Sequence, residues 1–70
     1  MDNNTNKLET IHESLVNGQR QQMVSQINEY GLYDFWSDYR DYLDELYTSV
    51  EARKQYFQDA TISYFRITNR

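Results

Sequence analysis

Seventy residues leave room for one domain, and a chain this short buries only about 60% of its unfolded surface, so its stability margin is small. There is no cysteine, which excludes disulfides and thiolate zinc sites, and the net charge of −4 argues against a basic nucleic-acid footprint or adsorption to anionic membranes. No run approaches the roughly 18 apolar residues of a transmembrane helix, and no apolar segment behind a basic start reads as a signal peptide.

Proline is absent and the two glycines are Gly18 and Gly31. Glycine just past an apolar-periodic run is the commonest helix stop, because it enters the left-handed region without a Cβ clash. The chain divides at these two points. Residues 1–6 are polar and asparagine-rich and read as a disordered start; residues 7–70 read as a single helical domain. Asn6 is the expected cap of a first helix, with Glu9 closing a capping box. Leu8, Ile11, Leu15 and Val16 then recur at helical spacing up to Asn17-Gly18. A second helix is expected from Gln19 to Tyr30, with Met23, Val24, Ile27 and Tyr30 on a narrow apolar stripe.

The third segment carries the strongest pattern. Leu32, Phe35, Trp36, Tyr39, Leu43, Leu46, Tyr47 and Val50 fall on one face at about 100° per residue. Asp34, Asp38, Asp41 and Glu45 fall on the opposite face, and Asp34 is a candidate N-cap. Thr48 or Ser49 is expected to cap a fourth helix, Thr48 with Glu51 matching a capping box. Val50, Phe57, Ala60, Tyr64 and Ile67 give its stripe. Thr61 to Thr68 is rich in β-branched and aromatic residues, which favour strands. A lone strand would need a second copy to pair with, so helix is the expectation. The fold class is a compact all-α bundle of three or four short helices.

The acidic row is the leading candidate site. Side chains three and four apart on a helix are neighbours, roughly 5–6 Å between Cβ atoms. Its bland reading is a solvated face that keeps the protein soluble. Its functional reading is an anionic surface that meets a basic one, in charge density resembling a nucleic-acid backbone. Tyr33 and Tyr42 stand at the borders of the third helix beside the acids, either as snorkelling core residues or as interface anchors. Seven tyrosines are too many for one small core. Trp36 reads as core. The partner-binding set is therefore Asp34, Asp38, Asp41, Glu45, Tyr33 and Tyr42.

Other chemistry has little support. Glu9 and His12 have an E-x-x-H spacing, which in helical di-metal sites needs further glutamates from other helices, so His12 reads as a partly exposed helix residue. The serines Ser14, Ser25, Ser37, Ser49 and Ser63 lie in helical segments or caps with no glycine elbow, and two isolated glycines make no phosphate loop. Catalytic, cofactor and metal residues are expected to be none. Arg53 and Lys54, with Arg66, form at most a minor positive patch that would suit the acidic helix of a second copy.

The stretch Gly18-Gln19-Arg20-Gln21-Gln22-Met23-Val24 through Tyr30-Gly31-Leu32-Tyr33-Asp34-Phe35-Trp36 and on to Leu43 resembles short uncharacterised proteins encoded by bacteriophages and prophages, over about a third of the chain. The resemblance implies an early-expressed accessory protein of the bacterial cytoplasm that binds and blocks a host enzyme, including nucleic-acid-handling ones. The expectation is a non-enzymatic acidic protein that docks a larger basic protein through its third helix. The alternative is a homo-oligomeric structural or assembly protein. Neither direct nucleic-acid binding nor membrane association is expected.

Overall fold

A computed structural model describes the backbone of residues 3–69 and the side chains of residues 5–69. Four helices follow one another: α1 Asn3–Val16, α2 Arg20–Tyr30, α3 Leu32–Leu46 and α4 Val50–Thr68. There is no strand among the described residues. The bundle measures 34 × 28 × 22 Å, and α2 and α3 each pack against all three other helices.

The breaks follow from local chemistry. At the end of α1 the Gly18 amide bonds Leu15 O and the Gln19 amide bonds Ser14 O. These are the two bonds of a Schellman stop, and Gly18 at φ +80° supplies the left-handed residue that it needs. Gly31 at φ +111° serves two helices at once: its amide bonds Ile27 O and its carbonyl accepts from Phe35. Only one residue separates α2 from α3, and that residue is in a region that side chains avoid.

Several starts differ from expectation. The first helix begins at Asn3, so Asn6 lies inside it, where its carbonyl accepts from Thr10 Oγ1 rather than opening a capping box with Glu9. Of the expected disordered start, Met1 and Asp2 lie outside the described residues and Asn3 to Asn6 belong to α1. The N-cap of α3 is Gly31, and Asp34 sits in the first turn, where a carboxylate meets the positive end of the helix dipole. Ser49 caps α4 by accepting from the Ala52 amide; Thr48 does not. Tyr47 turns to extended backbone (φ −118°, ψ +134°), so the 100° progression ends at Leu46 and Val50 starts a new helix with its side chain in solvent.

The tail is helix. Its β-branched hydroxyls bond back four residues, Thr61 to Phe57 O and Thr68 to Tyr64 O. Its inner face is held by Tyr64, whose hydroxyl donates to Asn28 on α2, and by Ser63 beside the Arg20–Asp59 ion pair.

The core gathers Leu8, Ile11 and Leu15 from α1, Met23, Val24 and Ile27 from α2, Phe35, Tyr39 and Leu43 from α3, and Ala60 and Tyr64 from α4. Each helix thus contributes residues three or four apart. Val16, Leu32, Leu46 and Val50, expected on apolar stripes, are exposed: each lies at a helix end.

Candidate functional site

The acidic row forms along α3 as its spacing requires. Asp34, Asp41 and Glu45 are exposed, and Asp38 is half-buried. The Asp38 carboxylate accepts a 2.6 Å hydrogen bond from the Tyr30 hydroxyl, which ties the row to the end of α2. None of the four acids has an ion-pair partner among the described residues. The two ion pairs there use other carboxylates, Arg20 with Asp59 and Arg53 with Asp44.

The two border tyrosines part company. Tyr33 is 91% exposed. Tyr42 is half-buried, its ring against His12 and stacked on Tyr39. Burial raises the Tyr42 pKa, and the carboxylates of Glu9 and Glu13 raise it further. Those two acids of α1 therefore lie near enough to Tyr42 to disfavour its charged form.

A second constellation was not visible in the spacing. His12, expected partly exposed, is buried at 6% exposure. Its Nδ1 lies 2.9 Å from the Tyr39 hydroxyl and its Nε2 2.9 Å from the Tyr47 hydroxyl. The rings of Tyr39, Tyr42, Tyr47 and Tyr56 surround it with centroids 5.1–5.9 Å away. Tyr47 and Tyr56 stack on each other at 4.9 Å. Burial lowers the His12 pKa, with Glu13 opposing, and raises those of Tyr39 and Tyr47. A neutral imidazole donates from one nitrogen and accepts at the other, which matches two phenols. The surplus of tyrosines is thus largely a shell around one buried ring. A signal existed: His12 stands in the same stripe as Leu8, Ile11 and Leu15, a place where burial is the rule.

Trp36 is half-buried as a core-edge residue, edge-on to Phe35 at 4.9 Å and to Phe57 and Tyr64, and stacked on Phe65. Among the described residues no group of three or more His, Asp or Glu side chains converges to hold a metal ion. The Glu9–His12 spacing leads to tyrosines, because both ring nitrogens of His12 are occupied by phenols. Among the described residues no helix is long and apolar enough to cross a membrane.

These features define a small all-α domain with an acidic row along α3 and a buried histidine–tyrosine cluster. No family model, curated protein or solved structure matches the chain.

Proposed function

We propose that the protein is a non-enzymatic binding protein whose anionic face docks on a basic surface of a larger protein, of the kind that normally holds nucleic acid, and blocks it. The observation that carries this reading is the lack of internal compensation. Asp34, Asp41 and Glu45 stand in solvent with no cation paired to them among the described residues, while the cations Arg20 and Arg53 are spent on Asp59 and Asp44. Like charges at this spacing cost a helix a few tenths of a kcal/mol per pair, which a cationic partner would reverse. Tyr33 at the edge of the row supplies an exposed aromatic anchor of the type enriched at interface hot spots. Electrostatics of this sort speed the encounter, and salt weakens it. The resemblance to phage-encoded proteins is in keeping with a partner among host enzymes of the bacterial cytoplasm.

The test compares capture from bacterial lysate by the natural chain and by Asp41→Lys with Glu45→Lys, two exposed positions with no role in packing. A basic protein retained by the first, released by high salt and absent from the second is the expected result. Equal retention by both, with unchanged helical content, removes the acidic face from the mechanism.

A further inference from the structure

Between the last turns of α3 and the first turns of α4 lies a cleft of about 520 Å³. Its volume falls in the range of roughly 300–1,000 Å³ typical of small-molecule sites. Leu43, Val50 and Phe57 supply an apolar lining. Arg40 from α3 and Lys54 from α4 line it as well; both are exposed and neither is in an ion pair among the described residues. The third cation, Arg53, is fixed: it donates to the Asp44 carboxylate at 3.1 Å and to Thr48 O at 3.0 Å, closing the loop between the helices. Asp44 is the only carboxylate of the lining and is neutralised by that contact. On a chain of net charge −4, this is a local excess of two positive charges over an apolar bed (three cations, one acid).

We infer that this cleft binds an amphiphilic organic anion, a carboxylate or sulfonate carried on an aromatic or short alkyl body. The head group goes to Arg40 and Lys54, and the body lies on Val50 and Phe57, above the buried Leu43. Charge complementarity selects the anion, and burial of apolar surface holds it.

The experiment is an NMR titration of the ¹⁵N-labelled chain with 2-naphthoate, with 2-naphthalenemethanol as the uncharged counterpart and acetate as the anion without a body. Saturable shifts are expected at the amides of Arg40, Leu43, Val50, Lys54 and Phe57, with at least tenfold weaker binding of the alcohol and of acetate. Arg40→Glu with Lys54→Glu, both at exposed positions, should weaken naphthoate at least tenfold with helical content unchanged. The proposal is overturned by equal affinity for the alcohol, by shifts centred elsewhere, by indifference to the double exchange, or by no saturation near about 1 mM, the weak end of specific binding. It is also overturned if the ligand-free chain self-associates with shifts at both the cleft and the acidic row, which would make a second copy the occupant.

Discussion

His12 joins three helices through two hydrogen bonds and four ring contacts. Its partners Tyr39 and Tyr47 come from α3 and the adjoining turn, and Tyr56 from α4. Replacing the imidazole by an apolar ring of similar size keeps the volume and removes the polar atoms. The Tyr39 hydroxyl, on a residue only 1% exposed, then loses the only partner shown for it. An orphaned buried hydroxyl costs about 1–3 kcal/mol, so His12→Phe should lower stability by that amount in urea unfolding. Removing both partners is less costly than removing one, so His12→Phe with Tyr39→Phe should be destabilised by less than the sum of the single changes. Strict additivity would mean that the bond does not contribute.

At the scale of elements, the junctions rest on single residues. Ser49 bonds the Ala52 amide, whereas the Thr48 side chain makes no cap, although both match the pattern of a helix start. Ser49→Ala should cost about 1 kcal/mol and Thr48→Ala close to nothing, read as shifts in thermal midpoint. Gly31 allows an independent check. A Cβ there would meet only Asp34 Oδ2 at an ordinary 3.8 Å, so crowding is not the obstacle. The obstacle is φ +111°, a strain of about 1–3 kcal/mol for any L side chain. Gly31→Ala is expected to lose that much, and a neutral result would show that α2 and α3 can be joined by another route.

The same junctions mark how much was legible beforehand. The glycine stops, the stripes of α1 and α2, and the acidic row were readable because each depends on neighbours within about four residues. The end of α3 was not. Apolar residues continue at 100° through Tyr47 and Val50, yet the backbone turns extended at Tyr47, where the chain must reverse so that α4 can pack on α3 and α2. Periodicity carries no mark of where packing bends the chain.

For the whole molecule, the cluster couples stability to pH on both sides of neutrality. Burial holds the folded His12 pKa below its ordinary 6.5. Below that pH the unfolded ring takes up a proton while the folded ring stays neutral, so acid favours unfolding until the folded ring also titrates. Tyr39, Tyr42 and Tyr47 are shifted the other way, above the ordinary 10.0. Their contribution is intact below that value and is lost as pH rises toward the folded pKa values, where the unfolded phenols ionise first. Urea midpoints measured from about pH 5 to about pH 11 should form a plateau with two falling limbs. In His12→Phe the fall between about pH 6.5 and about pH 5.5, above the carboxylate range, should flatten while the alkaline limb persists. An unchanged fall in that interval would remove His12 as its source.

By itself, the sequence determined the all-α class, the glycine stops at Gly18 and Gly31 and the face that carries Asp34, Asp38, Asp41 and Glu45, because helix period and glycine stops act over a single turn. Tertiary structure alone decided that Tyr33 stands free while Tyr42 is packed, that Asp38 is held by Tyr30, and that His12 lies among tyrosines 27 and 35 residues away. It also decided that Arg40 and Lys54 flank one cleft. The spacing of residues along a helix says which side chains share a face; only the crossing of helices says which faces meet.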